Sequence, residues 1–370
     1  MKLKIGIKMF GFEKTHTIPF NYDIPNYTPV FIKESSLIKR WSKYIKRQIY
    51  ITLKRQKSLE LCQIQPEHSN ILWVNISAPS LGDSLMDLSS RVMLKERKVD
   101  LFTDKKNASL YYCDTVFTNI FSDKKEVNKF HYDLVIIDSY SSRSINIKAD
   151  LAPSTPFVGM FGHYNGPEVN RVLFSFHRMN QLLGYINEKI KINKVARASI
   201  SICTKDQKII KKENLPNDYI TIAIGGEWRY RTYNKWDEVI KRLLIKENNL
   251  NIVIVGSDNA IHSVQTILDK FPQDNIFNCV AKFTFNQSAK IISQSKLLLC
   301  CDGGLMHAAN AVKTPVVALF SRLTAQMQLT DSVSDFSLFD KSDVNNILIK
   351  DILQKYGEAS SFVDNHPRVE

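Results

Sequence analysis

A chain of 370 residues with 44% apolar content is long enough for two domains, each burying its own core. No apolar run reaches transmembrane length, and the lysine-broken stretch Met1 to Phe10 is too short for a secretory signal. Six cysteines without a CxxC spacing offer no disulfide framework or zinc site, fit a reducing cytosol and predict a cytoplasmic protein.

The formal charge of +13 is unevenly placed: residues 1–70 hold thirteen Lys/Arg against five Asp/Glu. Such a segment suits an anionic membrane surface, an anionic glycolipid or nucleic acid, and equally a solvated face that keeps the chain soluble. Lys2 to Met9 alternates as a strand would, and Pro19, Pro25 and Pro29 predict an irregular stretch. Ser36 to Leu61 reads as one long basic amphipathic helix, with Leu37, Trp41, Ile45, Ile49 and Leu53 among Lys39, Arg40, Lys43, Lys46 and Arg47. Its apolar face either packs on the first domain or lies on a membrane, and periodicity does not separate the two.

Ile71 to Ile76 reads as a buried strand, followed by Ser77-Ala-Pro-Ser-Leu-Gly82-Asp83-Ser84 and a helix to about Glu96. Further strands fall at Val99 to Thr103, Leu134 to Asp138 and Pro156 to Met160. This rhythm predicts an α/β class with doubly wound parallel sheets and a ligand crevice at the strand C-terminal ends. Residues 163–200 read as helical and polar, and the lysine-rich stretch from Lys205 to Asn217 is expected to hold the domain boundary. Tyr219 to Gly226 opens the second domain with a strand ending in Gly225-Gly226. A helix from Lys235 to Lys246, a strand Ile252 to Gly256, a helix His262 to Lys270, a short strand Ile276 to Val280 and a helix Asn286 to Gln294 follow. A last helix is expected from about Val344 to Tyr356. The resulting division is a basic extension 1–69, a first domain 70–204, a second domain 218–340, and a C-terminal helix and tail 341–370.

The unit from Leu297 to Ser321 carries the strongest chemistry. An apolar strand breaks at Asp302-Gly303-Gly304, a small-residue helix runs from Leu305 to about Val312, and Val316 to Phe320 forms the next strand. Backbone N–H groups are unpaired where that helix begins, its dipole favours an anion, and glycine lets a phosphate approach. Asp302 and His307 bracket the spot; the plainer reading makes Asp302 a helix N-cap. Arg229, Arg231 and Lys235 form a cationic loop between two glycine-ended strands, suited to a phosphate or simply solvated. Asp83 sits between a strand and a helix, where it caps the helix or presents a carboxylate to the crevice, and Ser84-x-x-Asp87 is an alternative cap. His163 and His177 read as structural or surface residues. HExxH, Walker A and GxGxxG patterns are absent from the sequence.

The string Asp302-x-Gly304-x-x-His307-x-Ala-x-Ala-x-x-x-Pro315-x-Val-Ala-Leu-Phe resembles the C-terminal signature of the heptosyltransferase family, glycosyltransferase family 9, whose members include the ADP-heptose:lipopolysaccharide heptosyltransferases. Gly303 stands where that family usually has Ser or Thr. Ser77 to Met86 is similar to its N-terminal motif, in which the Gly-Asp carries the proposed catalytic base; Asp83 is the matching position, although Leu88-Ser89 replaces the usual Pro. Gly225 to Trp236 is similar to the stretch whose cation meets the donor phosphates, which implies Arg231, with Lys235 as its rival. The likeness covers roughly residues 70–330.

The resemblance implies a GT-B fold, with an acceptor half presenting Asp83 and a donor half built from Arg231, Lys235, Asp302, Gly303, Gly304, Leu305 and His307. Gly225, Lys282, Thr284, Arg322 and Thr324 are further donor-site candidates. It also implies a C-terminal helix crossing back to the first domain. The implied reaction is inverting transfer of a sugar, a heptose from ADP-heptose, to a cell-envelope glycan such as lipopolysaccharide core. It needs no metal or cofactor, and the sequence has no Asp-x-Asp. The implied partners are a nucleotide-sugar donor, an ADP-sugar foremost, and a glycan or glycolipid acceptor; the basic N-terminal segment would suit an anionic glycolipid and peripheral contact at the inner membrane. Two alternatives remain from the motif departures: a non-catalytic carbohydrate- or nucleotide-binding protein, and a transferase acting on a protein. The charge raises a nucleic-acid reading, but no nucleic-acid partner is expected.

Overall fold

The computed structural model describes residues 14–28, 31, 37–127, 130–162, 166, 168–185, 189–271 and 275–366. The expected strand from Lys2 to Met9 and His163 lie outside these. The chain divides into two units, residues 1–198 and 199–370.

The described residues of the first unit hold α1 (Leu37–Leu53), β1 (Asn70–Asn75), α2 (Leu81–Asp87), β2 (Lys98–Thr103), β3 (Phe117–Phe121), β4 (Leu134–Ile137), α3 (Ser142–Leu151), β5 (Phe157–Gly159), α4 (Arg171–Leu182) and α5 (Lys189–Val195). The strands form one parallel sheet in the order β3-β2-β1-β4-β5. Central β1 and β4 are buried from Ile71 to Val74 and from Leu134 to Ile137. Strands covered on both faces carry no polar alternation, so these two read as plain apolar runs. Edge strand β3 escapes a hydrophobic reading: Thr118 is exposed, and Asn119 gives both its N–H and its side-chain amide to Asp100 at 3.0 Å.

The basic helix is shorter than expected and is part of the first unit. It ends at Leu53 rather than Leu61 because Arg55 turns into the left-handed region (φ 55°) and the Gln56 N–H closes back on the Ile51 carbonyl at 3.0 Å. Ile51 is fully buried in the first core, and the Tyr50 hydroxyl donates to Asn146 of α3 at 2.5 Å. Helix α2 likewise ends at Asp87 rather than near Glu96, continuing as a 3-10 turn from Ser89 to Leu94.

The second unit holds α6 (Thr204–Lys211), β6 (Ile220–Ala223), α7 (Trp236–Lys246), β7 (Ile252–Gly256), α8 (Ile261–Lys270), β8 (Ile276–Val280), α9 (Phe285–Gln294), β9 (Leu298–Cys301), α10 (Gly304–Val312), β10 (Val316–Ser321), β11 (Leu338–Asp340) and α11 (Ile349–Asn365). The parallel order β11-β10-β9-β6-β7-β8 is the dinucleotide-fold order, reversing direction between β6 and β9. The stretch expected to hold the boundary is instead folded: α6 belongs to the second unit, with Ile210 in its core and Asp206 accepting from Gln287 of α9 at 2.9 Å. The C-terminal helix, expected to return to the first domain, buries Ile352, Tyr356 and Ala359 in the second core. The Tyr356 hydroxyl also donates to Glu247, just beyond α7, at 3.0 Å, a distant contact that sequence periodicity does not locate.

Candidate active site

In a sheet of this order, ligands meet the carboxyl ends of the strands flanking the reversal, here β6 and β9. After β6 the chain passes Gly225 at φ 91°, where an added Cβ would lie 2.7 Å from Asn259 Oδ1 and 2.9 Å from Ala260 Cβ, so only glycine fits. The loop then turns through Arg229–Arg231. Arg231 Nη1 reaches Asp302 Oδ2, just beyond β9, at 3.2 Å. The Asp302 side chain is almost fully buried, while that of Arg231 keeps a quarter of its surface. Arg231 Nε is buried with no hydrogen-bond partner among the described residues, which leaves one guanidinium donor to be satisfied.

Asp302 is therefore not the N-cap of α10. Gly303 occupies that position in an extended conformation, without a side-chain capping bond, and its nearest added-Cβ contact is the Cys301 carbonyl at 4.0 Å. Room is thus left in front of the first turn, where Gly304 and Leu305 supply backbone N–H groups. Gly304 is the tighter position, where an added Cβ would lie 3.3 Å from the Phe285 ring. His307 is buried on the same first turn. A helix start, a buried carboxylate and a guanidinium together suit a group bearing both hydroxyls and negative charge.

Arg322, following β10 at φ 65°, stacks over the Tyr230 ring at 3.8 Å, and Arg231 approaches the same ring at 5.5 Å. Tyr230 thus gathers two of the expected cations; an aromatic in a polar loop gave no signal of that. The other candidates are placed differently. Lys235 Nζ donates to the Asn345 carbonyl at 3.0 Å. Thr284 caps α9 in a reciprocal box with Gln287. Lys282 is exposed. Thr324 caps the short helix Ala325–Gln328 with its backbone, and its hydroxyl is buried with no hydrogen-bond partner among the described residues.

In the first unit the strands flanking the reversal are β1 and β4. Asp138, after β4, receives the N–H groups of Ile76 and Ser77 at 2.8 and 2.7 Å, fixing the loop that leaves β1. That loop ends at Ser80, the N-cap of α2. Ser80 Oγ accepts the Asp83 N–H at 3.2 Å and donates to Asp83 Oδ2 at 2.6 Å. The cap is thus Ser80 with Asp83, rather than Ser84 with Asp87. Asp83 Oδ1 ion-pairs with Arg171 Nη1, and its side chain keeps 23% of its surface.

Arg171 was not singled out by the sequence. It is the first residue of α4, after the N-cap Asn170, and its other two nitrogens grip Asp87 as a fork: Nε to Oδ1 at 2.7 Å and Nη2 to Oδ2 at 2.5 Å. Burial pushes Asp87 up to about 6; Arg171 pulls against that, while Asp83 and Asp138 add to it. Desolvation draws Arg171 down, but Asp87 and Asp83 together carry it above the usual arginine value. These shifts pull in opposite senses for the ion pair. The guanidinium stays charged throughout, so Asp87 is the member that titrates and the pair is ionic at neutral pH. His177, buried with Nε2 2.7 Å from Asn193, serves the interior of this unit.

Two parallel α/β units with polar side chains gathered at the carboxyl ends of their central strands are the GT-B glycosyltransferase class of fold. Residues 169–336 match the family model Glycosyltransferase family 9 (heptosyltransferase), so the resemblance read from the motifs holds over this region. The range takes in Arg171, Arg231, Asp302 and His307; Asp83 precedes it. Three solved structures share the fold. A family 9 glycosyl transferase from Veillonella parvula matches at TM-score 0.67 and 13% identity over 81% of this chain and 99% of its own. E. coli ADP-heptose lipopolysaccharide heptosyltransferase II matches at 0.64 and 16% over 80% and 99%. An E. coli heptosyltransferase determined with ADP matches at 0.60 and 15% over 78% and 99%. No curated protein is a significant sequence match. Among the described residues, no helix is long and apolar enough to cross a membrane. The family match supports glycosyl transfer as the class of reaction.

Proposed function

We propose that the protein is an inverting glycosyltransferase that moves a heptose from ADP-heptose to a cell-envelope glycan such as lipopolysaccharide core. The observation that carries this reading is the Arg231–Asp302 pair at the start of α10, at the reversal of the second sheet and inside the family-matched range. ADP and ADP-2-deoxy-2-fluoro heptose are the ligands of matching E. coli heptosyltransferase structures, which supports an ADP-sugar here.

In one displacement the acceptor oxygen bonds to the anomeric carbon as the bond from that carbon to the diphosphate breaks. The bonding pair leaves with the diphosphate and the hydroxyl proton passes to Asp83. Arg231 and the first-turn N–H groups of α10 meet the leaving charge, so no metal is required; undiminished turnover in excess chelator checks this. Asp302 and His307 hold sugar or ribose hydroxyls.

Binding is tested by thermal stabilisation with ADP, UDP, GDP and CDP. ADP at about a hundred times its dissociation constant should add roughly 2.7 kcal/mol, and Arg231→Ala should remove most of this. A preference for another nucleotide would overturn the donor, and no response to any would sink the reading. Gly303→Ser restores the family's usual hydroxyl where the nearest added-Cβ contact is 4.0 Å away. It should leave stability within about 0.5 kcal/mol of the parent and tighten ADP binding, by the worth of one charge-assisted hydrogen bond, about 1.5–3 kcal/mol.

A further inference from the structure

Helix α1 carries five Lys/Arg and no Asp or Glu over seventeen residues. Its inner face is committed: Ile51 is in the first core, Tyr50 bonds α3, and Arg47 Nη1 reaches the Gly162 carbonyl just beyond β5 at 3.3 Å. Its outer face is not. Ile38, Ile45, Ile49 and Leu53 are 82%, 51%, 54% and 75% exposed. Their spacings of seven, four and four place them in one stripe at 3.6 residues per turn. Exposed Lys39, Lys43 and Lys46 lie along one border of that stripe, with Lys54 and Arg55 at its end. Isolated surface aliphatics need no explanation, but four in a row edged by cations and no acids do.

We propose that this face of α1 docks on the surface of an anionic lipid bilayer, with the four aliphatic side chains at the acyl boundary and the lysines on the headgroups. A helix with an apolar stripe and a basic border lies in the interface rather than across it. A second copy of the chain is a poorer occupant, because pairing the same face would bring like charges together. An anionic membrane supplies the complementary charge over the whole border. Arg47 faces inward toward the carboxyl ends of β4 and β5, so the bilayer-bound helix holds that end of the first sheet at the membrane. A lipid-anchored acceptor would be presented at this end; that last step rests on the proposed function, and the docking does not.

The test is co-sedimentation of the full chain with phosphatidylcholine vesicles made with and without phosphatidylglycerol, at low and high salt. The wild type should partition to phosphatidylglycerol vesicles, and salt should weaken the binding. Ile45→Ser/Ile49→Ser and Lys43→Gln/Lys46→Gln should each lower the partition by about tenfold or more while the melting temperature and ADP response stay unchanged. Equal binding to both vesicle types, or variants that bind as the wild type does, would overturn the proposal. So would a dimer without lipid that Ile45→Ser/Ile49→Ser disperses, because the stripe would then belong to a second copy. Failure of the ADP response with docking intact would count against the function alone.

Discussion

Replacing Asp83 with Asn is expected to lower turnover by roughly 10²–10⁴-fold while leaving thermal stabilisation by ADP unchanged. The amide keeps the shape of the carboxylate: its oxygen accepts from Arg171 and its NH2 donates to the Ser80 hydroxyl, so the loop between β1 and α2 should hold its form. It cannot take a proton from an acceptor hydroxyl. The residues proposed for the nucleotide are in the second unit, so donor binding reports separately. Steady-state rates beside melting curves check both halves. Unchanged turnover would remove Asp83 as the base, and a lost ADP response would point to an altered fold instead.

The second large effect is on stability. Arg171→Met should cost about 3–5 kcal/mol near neutral pH, because it leaves Asp87, wholly buried, without its counter-charge. The cost depends on pH in a defined direction. The folded-state value of Asp87 is raised from 3.8 to about 6 by burial, so the native state binds the extra proton more tightly. The stability Asp87 contributes is therefore present below 3.8 and lost as pH rises through about 6. Without Arg171 that loss deepens, so the deficit should grow toward neutral pH and narrow toward the acid end of the window. Urea unfolding between pH 4 and 7 measures it. Adding Asp87→Asn to Arg171→Met should recover part of the loss, since an amide needs no counter-charge. A deficit independent of pH would mean that Arg171 acts by packing alone.

How far the candidate residues were legible differs between the two units. Around α10 a strand, a glycine break, a small-residue helix and the next strand are consecutive, so local signals placed Asp302, Gly303 and His307 correctly at a helix start. The choice between Arg231 and Lys235 was not local. Both lie in one loop, and only the folded chain sends Lys235 to the Asn345 carbonyl and Arg231 to Asp302. Thr284, a donor-site candidate from the resemblance, caps α9, because Gln287 three residues on completes the box. In the first unit the place of Asp83 at a helix start was legible from its neighbours, while its pairing with Arg171, eighty-eight positions away, was not.

By itself, the sequence determined the elements whose signals are local. These are the apolar runs of β1, β4, β6, β7, β9 and β10, the glycine-ended strands, and the α/β class with its motif resemblance. Strand burial on both faces and the backbone freedom of glycine leave marks within a few residues. Only the tertiary structure decided what depends on distant contacts. It set the end of α1 at Leu53, the packing of α11 on the second unit, and the membership of edge strands β3 and β11. It also paired Arg171 with Asp83 and Asp87. Those outcomes follow from which buried charges and faces meet after the chain collapses, and side chains distant in sequence leave no periodic trace of their meeting.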